Sequence, residues 1–312
     1  NAVNSEHYTD GSIDTAHIAD AQITAGKIAS GSGLVTTNDA QGATLVGTGA
    51  GANLSGNSHW ENTLLGYNAG NATTGGDYNT AVGYQALDTN TTGSSNTAVG
   101  RRALEDNETG GTNTAVGMNA LTNNTTADNN TAIGTAALQA NTTGAQNTAV
   151  GSSAMIANTT GAENTALGKG ALNANTTASH NTAVGMNAMN VNTTGSSNTA
   201  VGKYSLTANT TGYQNIAVGV ESLYSNTEGF RNTAVGYESL EDNTTGDYNV
   251  GLGYRSLGSN TTGNTNTAIG HASLENSTTG SDNVAVGRSA LVANTTASNN
   301  TAVGGYALSA NT

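Results

Sequence analysis

The chain has 312 residues, a formal charge of −13, 42 Gly and neither Pro nor Cys, with 9% of residues charged and 4% aromatic. Its 8 Lys and Arg exclude a strongly basic surface for nucleic acid or anionic membrane. The absent Cys excludes a disulfide framework or thiolate metal site, and no apolar run approaches the roughly 20 residues of a membrane-crossing helix. So much Gly, Asn, Thr and Ser with so few rings is also the composition of a disordered chain, and only the order of the residues can overturn that reading.

Residues 1–42 obey a rule of their own. The chain opens at Asn1 with no Met and no signal-like apolar stretch, which reads as a fragment or a processed product. Ile13, Ile18, Ile23 and Ile28 recur every five residues, a period that is neither helical nor that of a simple strand. It predicts short strand pieces between turns, one Ile per turn meeting symmetry mates at an axis; the alternative is an amphipathic helix over AHIADAQI. Asp14, His17 and Asp20 in DTAHIAD have a spacing that suits a metal on one helical face, but a solvated turn cluster is the plainer reading.

Residues 43–61 look like a degenerate copy of the repeat that begins at Asn62, 19 residues long by the spacing of Gly47 and Gly66. Trp60, the only Trp, is expected to cap the exposed end of the core, as terminal repeats must.

From Asn62 to the end an Asn returns every 17 residues, at 79, 96, 113 and onward to 300, with no insertion or deletion. Disordered tracts tolerate length changes, so the strict register implies stacked structural units. The unit is too short for a helical pair and too rich in Gly for a helix. The expected fold is an all-β parallel β-solenoid, one 17-residue rung per turn, fifteen rungs over 62–312 with the last incomplete. With the leading Asn as column zero, N-T-A-V-G fills columns zero to four, A/S-L columns seven and eight, and N-T-T-G columns eleven to fourteen.

T-A-V reads as a short strand with alternating faces. The aliphatic residue of column three is expected inside with the Leu of column eight, so the core ladder is Val82, Leu87, Val99, Leu104, Val116, Leu121, Ile133 and Leu138. Gly83, Gly100 and Gly117 mark a corner needing positive φ or close backbone approach. Asn90, Asn107 and Asn124 are expected to form an amide ladder between rungs, so their Asn-x-Thr sequons are stacking positions rather than glycan sites. Ala replaces the column-fourteen Gly at 127, 178 and 297, so that corner accepts a Cβ. The remaining pairs vary and carry most charges and rings. Among them Tyr84, Arg101, Tyr213, Phe230, Tyr237 and Tyr248 are the candidate receptor contacts, because aromatics and Arg dominate binding hot spots.

One Val and one Leu per rung is a small apolar content against the entropy of ordering 17 residues. Packing coils side by side would relieve that deficit, and a parallel homotrimer is expected; a monomeric solenoid held by its Thr and Asn ladders is the alternative.

The blocks themselves have a familiar wording. NTAVG..AL..NTTG resembles the head repeats of trimeric autotransporter adhesins of the YadA type, whose SVAIG blocks build a left-handed parallel β-roll trimer. The longer phrase, together with VNSEHYTDGSIDTAHIADAQITAGKIA over 3–29, is similar to phage tail-fibre proteins. The resemblance covers 62–312, and the chain departs from the adhesin pattern in its 17-residue step. It implies a virion-tail or cell-surface fibre, joined to other tail or filament components through the N-terminal segment, that contacts a host-surface receptor or glycan by multivalent presentation.

Enzyme chemistry is not expected. No HExxH, no GxSxG with partners and no Walker-type loop occurs, nor does the calcium nonapeptide GGxGxD. His7, His17, His59, His180 and His271 are scattered, the last two in variable pairs. No cofactor, metal or membrane insertion is expected. A polysaccharide-cleaving fibre would need recurrent carboxylate pairs, and an ice-binding solenoid a flat T-x-T face; the repeat offers T-A-V and T-T instead.

Overall fold

The computed structural model describes residues 36–37, 42–54 and 60–312. The Ile series at 13–28, the DTAHIAD cluster and His7, His17 and His59 lie outside them. Two-residue β1 (Thr36–Thr37) lies antiparallel on β2 (Thr44–Val46). From β2 onward every strand is three residues long and pairs in parallel with the next, through β3 (Thr63–Leu65) and β4 (Thr80–Val82) to β17 (Thr301–Val303). The register is Thr on Thr and Val on Val, as in Thr80↔Thr97 and Val82↔Val99. β2 meets β3 at the longer step of the degenerate copy, Thr44↔Thr63. The chain is thus an all-β parallel solenoid, one lap per repeat, about 70 Å long at the usual strand spacing.

The core is not the one the pattern suggested. The strand faces alternate as expected, but Ala of column two points inward and is fully buried, as at Ala81, Ala98 and Ala115. The aliphatic residues of column three face out. Val82, Val99 and Val116 are half-buried, and Ile133 is 40% exposed. Leu87, Leu104, Leu121 and Leu138 are wholly buried, as expected. The reason is the width of the coil: a Leu reaching across from column eight fills it, and only a methyl group fits on the opposite strand. The first two rungs prove the point by inversion. There Leu45 and Leu64 stand in column two and Gly51 and Gly70 in column eight; a Cβ on Gly51 would lie 2.9 Å from Leu45 Cδ2.

The column-four glycines meet both requirements. Gly83, Gly100 and Gly117 have φ of 142°, 135° and 137°, and a Cβ on Gly100 would fall 2.6 Å from the carbonyl oxygen of Gly117. Three further corners use left-handed backbone without glycine, at columns six, eight and sixteen, as in Gln85 (52°), Leu87 (58°) and Ser95 (61°). That conformation costs an L-residue about 1 kcal/mol; for Leu87 the burial of its whole side chain, about 2 kcal/mol, offsets it.

Two amide columns run beside this core. In column eleven Asn107 Nδ2 donates to Asn90 Oδ1 at 2.8 Å, Asn124 to Asn107 at 2.7 Å, and the series continues to Asn260. Column zero carries a second series. Asn79 Oδ1 accepts the backbone N–H of Asn96 at 2.9 Å while its Nδ2 donates to Gly93 O at 2.9 Å. Column twelve adds hydroxyl donors, such as Thr91 Oγ1 to Glu108 O at 2.9 Å. A buried amide so placed replaces water bonds that the backbone would otherwise lose.

Trp60 is not the cap. It is 46% exposed and sits in column fifteen, its backbone N–H donating to Asp77 Oδ1 at 2.8 Å. Leu45, Ala50 and Leu54 pack on the end of the core instead. Aliphatic side chains close an apolar coil at less cost than an indole, whose ring N–H would need a partner.

Candidate functional site

With the core filled and the two Asn columns satisfied by backbone and by each other except around Ser277, the groups suited to chemistry stand in the variable columns. The six candidate contact residues fall into three groups. Tyr84 stacks on Tyr67 in column five, centroids 5.3 Å apart, and the Arg101 guanidinium lies 5.9 Å from its ring. Tyr237 begins a second column-five stack, with Tyr254 at 5.6 Å and then His271 on Tyr254 at 5.0 Å.

Tyr213, Phe230 and Tyr248 form the third group, on columns fifteen and sixteen. Tyr213 and Phe230 stack at 4.8 Å with planes 2° apart, and Tyr248 meets Phe230 edge-on at 5.3 Å. Arg231 is fixed among them, donating to Gln214 Oε1 at 2.9 Å and to Tyr248 Oη at 2.7 Å. Rings in neighbouring rungs meet because the strand spacing matches a stacking distance. Their faces are therefore largely taken up by one another, and edges and hydroxyls face solvent.

One further cluster has no counterpart in the sequence pattern. Glu221, Glu238 and Glu241 come within 4.8 Å of one another, two in column six and one in column nine. Arg255 Nε lies 3.3 Å from Glu238 Oε2 and 3.3 Å from Glu275 Oε1. Desolvation by burial, then the charges of Glu238 and Asp242, push the Glu241 carboxyl above its ordinary pKa. Burial likewise raises Asp88, against a hydrogen bond from Gln85 that lowers it. The gathering arises only because columns six and nine share an edge of the coil. Glu105 in column nine is itself buried and pairs with Arg102, so the variable columns are not wholly free of packing. His180 is exposed, with Nε2 3.5 Å from Glu163 Oε2, and His271 is exposed at the end of its stack.

The most extended feature is the strand face itself. Columns one and three place Thr and aliphatic side chains side by side on most rungs, with Ile216, Val250 and Val284 standing in for Thr in column one. Ile133, Leu167, Val201, Val235 and Ile269 are all 36–40% exposed. A rank about 70 Å long and one side chain wide presents on the order of 500 Å² of apolar surface. Among the described residues no helix is long and apolar enough to cross a membrane. The chain matches no protein-family model and no curated protein.

Proposed function

We propose that the chain is the shaft of a homotrimeric, non-enzymatic fibre for host attachment, in the first place a phage tail fibre. The observation that carries this reading is the aliphatic rank of column three. A chain of net charge −13 gains nothing by holding one aliphatic side chain per rung at its surface unless a partner covers it. The partner with the same pitch and length is another copy of the chain, and a three-fold arrangement would close the ranks around one axis. The resemblance of the NTAVG and NTTG blocks to YadA-type heads and tail fibres supports the same arrangement.

Function then comes from rigidity and number. Three rods present every exposed ring and charge in triplicate along a stiff axis, so weak contacts to a surface receptor or glycan add as avidity. Tyr84, Arg101, Tyr213, Phe230, Tyr237 and Tyr248 are the contact candidates in that role. The N-terminal residues would join the shaft to other tail or filament components. A bacterial surface adhesin of the same build is the second reading, favoured by the likeness to YadA-type repeats.

Two measurements test the proposal. Replacing Val116, Val150 and Val184 by Asp should leave the far-UV spectrum unchanged and convert the sedimenting species from three chains to one; a wild-type monomer overturns the assembly. Immunogold labelling of intact particles and of whole cells should mark phage tails, and a label confined to bacterial surfaces would favour the adhesin.

A further inference from the structure

A rank of near-identical rungs has a defect as an interface: it does not define its own alignment. Sliding one copy by a single rung along another preserves every aliphatic contact but those of the last rung, just as a strand without distinctive side chains slips in register. Whatever aligns the chains must be sequence that does not repeat, and it must lie beside the rank.

The flank columns have that character. Columns fifteen and sixteen precede the strand and column five comes after it, so they edge the exposed face on its two sides. Their rings are not scattered. Around the rungs that begin at Asn62 and Asn79, column five carries Tyr67 and Tyr84, column fifteen Trp60 and column sixteen Tyr78. From 85 to 203 there is no Tyr, Phe or Trp at all. Farther along both flanks carry rings again, Tyr213, Phe230 and Tyr248 on one side and Tyr237 and Tyr254 on the other, each Tyr 40–46% exposed. Within one chain the ring contacts run along each flank, and none among the described residues joins one flank to the other. Two sets of rings that do not touch nevertheless share the same axial zones.

We infer that these zones are alignment keys between copies of the chain, a role that would withdraw Tyr84, Tyr213, Phe230, Tyr237 and Tyr248 from receptor contact and leave Arg101 to it. In a three-fold assembly the leading flank of one copy lies against the trailing flank of the next. Rings then meet rings at the most levels when the copies are in step, Tyr78 with Tyr84, Phe230 with Tyr237 and Tyr248 with Tyr254, and each further rung of slip sets more of them against the Ser, Asn and Thr of plain rungs. Arg231, held by Gln214 and Tyr248, would add a fixed charge to the upper key. The inference rests on the homotrimer proposed above.

The chain has no Cys, so engineered thiols report cleanly. Ser152→Cys in column five is combined in turn with Gln146→Cys, Glu163→Cys or His180→Cys, three successive column-sixteen sites in the ring-free stretch. A disulfide spans about 4.4–6.8 Å between Cα atoms and rungs are about 4.8 Å apart, so the reaction resolves one rung. The double-Cys chain with its flank rings intact should yield interchain cross-links with one of the three partners, about tenfold above the others. With Ser in place of every flank Tyr, Phe and Trp of the two zones, yields should spread over the partners to within about twofold, while the sedimenting mass and far-UV spectrum stay unchanged. A single preferred partner in the ring-free variant overturns the inference, as does a trimer in which none of the pairs cross-links. A native chain that sediments as a monomer fails the assembly reading and this one with it.

Discussion

A Cβ added to Gly70 would lie 2.8 Å from both methyl carbons of Leu64. The glycine keeps the left-handed backbone, φ 57°, that Leu87 shows one rung later at 58°. The two rungs fill one coil with one Leu, placed on opposite walls.

The exchange can be run in reverse. Gly70→Leu alone should overpack the rung and cost about 1–3 kcal/mol, and Leu64→Ala alone should open a void and cost about 2–5 kcal/mol. Together they recreate the common rung, so the double variant should sit within about 1 kcal/mol of wild type. Amide exchange across 63–82 reads the local stability; additive losses would refute shared volume.

The column-eleven ladder stops at Ser277, where Asn260 Oδ1, Ser277 Oγ and Asn294 Oδ1 have no hydrogen-bond partner. Ser277→Asn should supply the missing donor and raise stability by about 0.5–1.5 kcal/mol. Asn175→Ala, in mid-ladder, removes the donor at 2.7 Å from Asn158 Oδ1 and the acceptor of Asn192 Nδ2, and should cost about 1–3 kcal/mol. Thermal melts of the two variants should move in opposite directions.

The two glycine columns should respond unequally to one methyl group. Gly134→Ala sets a Cβ 2.6 Å from Gly151 O at φ 132°. No nearby backbone can yield there without breaking a rung, and the loss should exceed about 3 kcal/mol. Gly144→Ala would also bring a Cβ against Gly161 O and Asn141 Oδ1, but it repeats a residue that the chain already uses at 127, 178 and 297, at a corner without positive φ, and should cost less than about 1 kcal/mol. Equal losses in chemical denaturation would show that φ is not what separates the columns.

Glu241 gives a pH signature. Its carboxyl titrates above the ordinary value because burial and the neighbouring carboxylates disfavour its charge. The folded chain therefore holds that proton more tightly than the unfolded chain, and this site's contribution to stability falls as pH rises through the raised pKa. Going from pH 7 toward the ordinary carboxylate range should raise the melting temperature. Glu241→Gln should raise it at pH 7 and flatten the dependence; a steeper dependence in the variant would contradict the direction.

How far the structure is legible in the residues depends on the column. The lap length, the strand T-A-V, the corner at Gly83 and the ladder from Asn90 each come from one strict position with one physical cause. The inward face of T-A-V does not, because a period of two allows either face and β-branching favours Val82 over Ala81. The deciding signal is present as a pair, Leu64 with Gly70 and Leu45 with Gly51, a large residue entering column two only where column eight is empty. The column-zero ladder is equally visible in its unbroken Asn, which reads as a counting mark until its bonds are seen. The meeting of Glu221, Glu238 and Glu241 is not legible, since it depends on which edges of the coil adjoin. Size misplaces Trp60, for which column number is the better guide.

The direction of the amide columns has a last consequence. From Asn107 to Asn260 every Nδ2 points toward the preceding rung and every Oδ1 toward the next, and the Oδ1 atoms of column zero face the same way. Backbone bonds between rungs run in both senses, as in Thr80 N to Asn96 O and Gly83 N to Leu65 O. Within the column-eleven ladder the side-chain dipoles add, each polarising the next, while the column-twelve hydroxyls donate the opposite way, as Thr91 Oγ1 does to Glu108 O. The ladder is therefore directional, its donors facing the N-terminal end and its acceptors the C-terminal end, so one coil could continue another only head to tail.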